Sequence, residues 1–275
     1  MAEQPFYWIR PEDYTLDIFL LFDRWIIRYV ITQEISWYDK NRDYKADLAK
    51  ALSKRPYIAS YCRKKAPEVT DFLDRLHIPK ADAVSAAEAR EAEIALLAAL
   101  ECFVVYADPE VMEKLDYIRC WDPQRLYELV DLEGKIVLDV GSGTGRLAFA
   151  AAKYAKQVYA SDPCGQLREF MRDKIKRKGV SNVKVLDGEI LCLPYEADTF
   201  DVVCSGHVVG DFYDEEIAEM ARVTKNGGWI VCCDGDDGFR STTPDRELIS
   251  RGFEYFGYKT RQGGNAYNYR KLVRK

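Results

Sequence analysis

The 275-residue sequence holds only two histidines, His77 and His207. That scarcity argues against a histidine-rich metal site, and no cysteine cluster has zinc spacing, so no metal is expected. Eight cysteines are scattered without a CxxC pair. No apolar run approaches the roughly 18 residues of a membrane span. The opening "MAEQPFYWIRPEDY" lacks the charged-then-apolar pattern of a secretory signal. Reduced thiols in a cytoplasmic protein are therefore expected. Internal repeats and low-complexity tracts are missing. So is any excess of positive charge: the net charge of −5 argues against a nucleic-acid partner. No G-x-x-x-x-G-K-[ST] occurs, which excludes a P-loop.

What is present is core material. Hydrophobic residues make up 48% of the chain, and its length allows two modest domains. The texture changes near residue 130. Residues 1–130 read as a helical region. "TLDIFLLFDRWIIRYVITQEI" has a broad apolar face with Leu16, Phe19, Leu20, Trp25 and Ile26 as buried candidates. "SAAEAREAEIALLAALECFVVY" has helix composition, with Ser85 as N-cap and Glu88 completing a capping box. Pro56, Pro67, Pro79 and Pro109 punctuate the region. Trp8, Trp25, Trp37, Tyr38, Tyr57 and Tyr61 are core by default, although a few could line an acceptor pocket. Residues 40–65 are locally basic with interleaved tyrosines, which suits an anionic acceptor, RNA or simply a solvated helix face.

Residues 131–275 alternate strand and helix patterns. "KIVLDV", "QVYASD", "NVKVLD", "FDVVCS" and "GGWIVCCD" read as strands, and "FEYFGYKT" with "NAYNYRKLVRK" as a closing pair. "GQLREFMRDKIKRKG" reads as a helix ended by Gly179, and "DEEIAEMARVTK" as another. This alternation predicts an α/β fold, a doubly wound and mostly parallel sheet with helices on both faces.

"VLDVGSGTGRLAF" places Gly141, Gly143 and Gly145 in a turn between a strand and a helix. Arg146 stands where the third glycine of a dinucleotide fingerprint belongs, which counts against NAD. Asp139, at the tip of the first strand, would repel a pyrophosphate and suit a cationic ligand without phosphate. S-adenosylmethionine (SAM) fits that description. Asp162 ends the second strand, where a carboxylate can accept from both ribose hydroxyls, or cap the following helix. Glu189 could accept from the adenine amino group, or be a solvated loop acid. Ile190 could offer its N–H and an apolar face to the ring. Cys164 of "DPC" reads as packing. His207 lies past the fourth strand at the carboxyl edge of the sheet, a place for a general base, or for a loop histidine bonded to backbone. Asp211 could orient it, or only solvate the loop.

At these residues the sequence resembles the class I SAM-dependent methyltransferases. "VLDVGSGTG" is similar to the family's first motif, "VYASDP" to its ribose segment, "GEILCLPYEADTFDVV" to its adenine segment and fourth strand, and "RVTKNGGWIVC" to the turn into its fifth strand. The resemblance covers roughly residues 131–275, about half of the chain. It implies a seven-stranded sheet whose last strand is inserted antiparallel. It implies SAM as cofactor and S-adenosylhomocysteine as product. Asp139, Gly141, Ser142, Gly143, Gly145, Asp162, Pro163, Gly188, Glu189, Ile190 and Ser205 would hold that cofactor. It also implies that the helical region caps a substrate. The expected reaction is methyl transfer to a nucleophilic atom of a small-molecule acceptor. RNA or protein methylation, and a non-catalytic SAM-binding subunit, are the rival readings. The sequence leaves the oligomeric state open.

Overall fold

The computed structural model describes residues 8–32, 38–234 and 242–275. They divide into two compact units between Val111 and Met112. The helical elements are α1 (Arg24–Thr32), α2 (Tyr44–Ser53), α3 (Pro56–Lys65), α4 (Thr70–Arg75), α5 (Ala86–Ala99), α6 (Glu101–Ala107), α7 (Pro109–Lys114), α8 (Asp116–Arg119), α9 (Gln124–Tyr127), α10 (Arg146–Ala151), α11 (Gly165–Lys178), α12 (Tyr213–Val223) and α13 (Arg246–Ser250).

In the helical unit, Leu16, Phe19 and Ile26 are buried as expected. Leu20 is instead exposed and Trp25 half-buried. The reason is a break in the helix: Leu16–Leu21 winds as a 3-10 turn and α1 restarts at Arg24, so one apolar stripe does not run through both. Trp37 lies outside the described residues. Ser85 and Glu88 form the reciprocal capping box of α5. Buried Glu93 on α5 accepts from Leu16 N–H (2.6 Å), Arg55 Nε (2.9 Å) and Arg90 Nη1 (2.5 Å). Burial pushes its carboxyl up, but those donors outweigh burial and hold it below the usual range. The basic segment 40–65 turns many of its cations onto acids: Arg42 onto Asp47 and Glu91, Arg63 onto Asp74, and Lys65 onto Asp23.

The sheet unit holds β1 (Ile136–Val140), β2 (Gln157–Ser161), β3 (Val183–Leu186), β4 (Phe200–Ser205), β5 (Thr224–Cys232), β6 (Glu254–Lys259) and β7 (Asn265–Leu272). Their order is β3-β2-β1-β4-β5-β7-β6. Pairs from β3 through β5 are parallel, and β7 enters antiparallel between β5 and β6. This is the doubly wound, seven-stranded sheet that the alternation and the resemblance lead one to expect. Gly179 ends α11 in the left-handed conformation (φ +64°), as read from the sequence.

The change of texture at residue 130 falls later than the structural division. Trp121, Leu126, Leu129 and Val130 are buried in one cluster with Val137, Val158 and Val202 of the central strands. Residues 112–130 therefore belong to the sheet unit and form a strap tied to its β6–β7 hairpin. Arg261 donates to Cys120 Sγ (2.9 Å), Arg125 lies over the Tyr258 ring (4.1 Å), and Arg270 donates to Leu129 O (2.9 Å). Among the described residues no helix is long and apolar enough to cross a membrane.

Candidate functional site

The site is built at the carboxyl edge of the sheet, where β1 turns into α10. Gly141, Gly143 and Gly145 all have left-handed backbones, φ +63°, +56° and +90°. A side chain at Gly141 would meet Val208 Cγ2 at 2.5 Å, so that position is closed by packing. At Gly143 the nearest atom is Met112 Sδ at 3.5 Å, so the turn is open enough there for a ligand to approach the backbone. Ser142 anchors the turn: its N–H donates to Ser161 O (3.0 Å) and its Oγ to Asp139 O (2.8 Å).

Two buried carboxylates brace this turn. Asp162 Oδ2 accepts from Gly143 N–H and Oδ1 from Cys164 N–H, both at 2.8 Å. The side chain therefore joins the ends of β1 and β2 and does not cap α11. Burial pushes its carboxyl up to about 6, against the pull of those two N–H donors. Pro163 is half-buried beside it, and Cys164 is buried as packing. Asp139 lies differently from the expectation that it faces a cationic ligand. Its Oδ2 accepts from Ala148 N–H of α10 at 2.9 Å, and the residue is 1% exposed. Burial pushes it up to about 7, so near neutrality it carries only part of a charge. Its visible work is to seat α10 under the turn.

The next wall is the loop after β3. A side chain at Gly188 would meet Pro194 Cδ at 3.1 Å and Ser161 Oγ at 3.2 Å. Glu189 and Ile190 are half-buried in this loop, with Cys192 N–H returning to Glu189 O (2.9 Å). The loop is clamped from α12. Glu219 accepts from Leu193 N–H (2.7 Å), and Arg222 donates to Tyr195 O (2.7 Å) and Leu193 O (3.0 Å). Buried Glu216, one turn earlier on the same helix, accepts from Gly210 N–H (2.9 Å) in the loop after β4.

That loop carries His207. Ser205 ends β4 buried, its carbonyl accepting from Cys233 N–H (2.8 Å). His207 has φ +60°, a left-handed backbone that costs a non-glycine residue about 1–2 kcal/mol. Its N–H donates to Asp234 Oδ1 at 2.8 Å, and its ring meets Tyr117 edge-on with centroids 5.4 Å apart. Arg146 donates to Cys233 O (3.0 Å) and Asp234 O (3.3 Å) while stacking on Trp121 at 4.6 Å. Arg146, Asp234, Tyr117 and Trp121 are absent from the sequence-derived site. Arg146 was conspicuous as the missing glycine, and Asp234 follows the fifth strand, but nothing local to Tyr117 or Trp121 points here. Asp211 is exposed, and Asp234 is a partner of His207. Among the described residues no group of acids, cysteines and histidines is placed to hold a metal ion.

Residues 138–232 match the family described as "Methyltransferase domain". Over those residues the sheet unit is similar to a methyltransferase domain. The chain is 30% identical over 136 residues to an uncharacterized methyltransferase of Geobacillus kaustophilus, covering 46% of this chain and 60% of that one. It is 35% identical over 105 residues to a demethylmenaquinone methyltransferase of the same species, covering 36% and 45%. A SAM-dependent methyltransferase structure from Aquifex aeolicus shares the fold, with a TM-score of 0.50 at 20% identity, covering 61% of this chain and 98% of that one. The chain spans about half the length of the curated relatives it matches.

Proposed function

We propose that the protein transfers a methyl group from SAM to a nucleophilic atom of a small-molecule acceptor. The observation that carries this reading is the turn Gly141–Gly145, left-handed at all three glycines and open at Gly143, facing the edge where Asp162 and the Gly188–Ile190 loop also end. The methionine part would lie along Gly141–Gly143, the ribose at Asp162 and Pro163, and the adenine beside Gly188, Glu189 and Ile190, with Ser205 closing the far side. SAM would supply an electrophilic methyl on a sulfonium. The chain's share is to hold the acceptor in line with that methyl, exclude water and take up a proton. His207 at the same edge is the proposed base. The name of the demethylmenaquinone methyltransferase relative supports a small acceptor, and the ion-paired basic segment 40–65 supports RNA less. The helical unit is proposed to select the acceptor.

The test mixes purified protein, methyl-labelled SAM and a cell extract. Label in the low-mass fraction is expected. Label in RNA or polypeptide would move the reading to its rival, and tight SAM binding without transfer would make the protein a non-catalytic subunit. His207→Ala should slow transfer by about 10²–10⁴-fold with SAM affinity unchanged.

A further inference from the structure

The chain contains a carboxylate poised for the proposed base, and it belongs to another strand. Asp234 follows β5, while His207 follows β4. Asp234 Oδ1 accepts the His207 N–H at 2.8 Å, and the same oxygen lies 3.9 Å from His207 Nδ1. One oxygen thus fixes the backbone of the histidine and faces the near side of its ring. Asp234 is itself held: Arg146 donates to its carbonyl and to that of Cys233, and Trp121 stacks on the guanidinium. Gly206 lies between, where a side chain would fall 2.3 Å from Arg146 Nη2. The strained backbone at His207 is therefore secured from outside its own loop, a cost that a merely connecting loop has no need to carry.

We propose that Asp234 is the positioning residue for His207, setting its ring so that Nδ1–H faces the carboxylate and Nε2 is the atom that takes the acceptor's proton. This rests on the reading of His207 as base. It also narrows the substrate class. A thiolate or another anion has no proton to give up, so a carboxylate-supported imidazole serves an acceptor bearing a hydroxyl or another weakly acidic X–H. In the step, the acceptor's X–H bond breaks and its proton goes to His207 Nε2. The acceptor atom X forms a bond to the methyl carbon as the carbon–sulfur bond breaks, its electron pair staying on sulfur as a neutral thioether. The imidazolium that results is stabilised by Asp234.

The presence of only two histidines makes the test direct. The Asp234 carboxylate and the Tyr117 ring face the His207 ring, Arg146 holds the Asp234 carbonyl, and Asp211 is a charged group on the same loop. NMR titration of the full chain reads His207 with His77 as internal reference, the assignment coming from His207→Ala. Asp234→Asn keeps an oxygen for the His207 N–H and removes only the charge. The expected result is a lower His207 midpoint, with proton affinity reduced about threefold to tenfold, and an unmoved His77. A His207 midpoint that stays or rises overturns the proposal. Should Asp234→Asn melt early, Asp234→Ser, whose hydroxyl also accepts the N–H, is read the same way. In the label-transfer assay, Asp234→Asn should lower kcat at least tenfold, move the acid limb of kcat to lower pH and leave SAM affinity unchanged. Full transfer by Asp234→Asn beside slow transfer by His207→Ala defeats this proposal alone. Full transfer by His207→Ala defeats the base reading beneath it.

Discussion

SAM affinity should rise with pH through about 6, and Asp162 is the reason. Its carboxyl sits 3% exposed, accepts two backbone N–H groups, and is still pushed up to about 6 by burial. With the ribose on Asp162 as proposed, its hydroxyls would add donors that favour the ionised form, so binding would lower the pKa of the carboxyl and release a proton on the acid side of 6. The sign follows: ionised Asp162 binds the ribose better, so affinity is full above about 7 and falls as the group takes up its proton. If binding returns the carboxyl to about 4, the gap of about two units corresponds to about 100-fold, or about 2.7 kcal/mol. The decline should approach tenfold per pH unit between about 6 and 4 and then level off. Calorimetry from pH 5 to 8, in two buffers of different ionisation enthalpy, measures both affinity and proton release. Asp162→Asn should bind more weakly and lose most of the slope. An affinity that is flat from pH 5 to 8 with no proton release would refute the assignment of the ribose to Asp162.

Other outcomes follow from the same geometry. Asp139 is pushed up to about 7 by burial, so it favours the folded state below its unfolded value near 4 and loses that contribution as pH rises through 7. The stability of Asp139→Asn relative to the native chain should therefore climb between pH 4 and 8, by about 4 kcal/mol at most, and its relative melting temperature with it; parallel curves would contradict this. Gly206→Ala should press the new methyl on the Arg146 guanidinium (2.3 Å) and on the Cys233 carbonyl (2.8 Å) that it holds, and cost about 1–3 kcal/mol in chemical denaturation; unchanged stability would count against tight packing of this brace. A fragment of residues 112–275 should fold and bind SAM without transferring methyl at the full rate. One beginning at 131 loses Trp121, Leu126, Leu129 and Val130, about 6–12 kcal/mol of burial, and should not fold cooperatively by calorimetry.

The strands were legible because a buried parallel sheet writes itself as apolar runs between turns. "FDVVCS" is β4 to the residue, and Gly179 and the Ser85–Glu88 box mark helix ends through local chemistry. Two kinds of feature were not legible. Local breaks that depend on tertiary packing were one: the 3-10 turn at Leu16–Leu21, the short α13, and the start of β5 at Thr224, whose Oγ1 is buried against Met220 O. Partners distant in sequence were the other. Asp162 meets Gly143 N–H, but no spacing rule shows Asp139 buried beneath α10. Nor does one bring Asp234 to His207, or Trp121 to Arg146. The glycines named the edge of the sheet where the candidate site lies; the polar groups around it were set by topology.

The inserted strand has a consequence for synthesis of the chain. β6 joins the sheet through β7, which is made after it, and β6 leaves Tyr255 and Phe256 exposed even when paired. Until β7 emerges, β6 has both edges bare and the β5 edge beside it is bare as well. At about 5–20 residues per second this interval lasts on the order of 1–3 s. During that window two nascent copies on one message present each other with matching aromatic edges. Slow translation across the hairpin would lengthen the exposure, so codon choice over residues 260–272 should affect soluble yield more than codon choice over the helices.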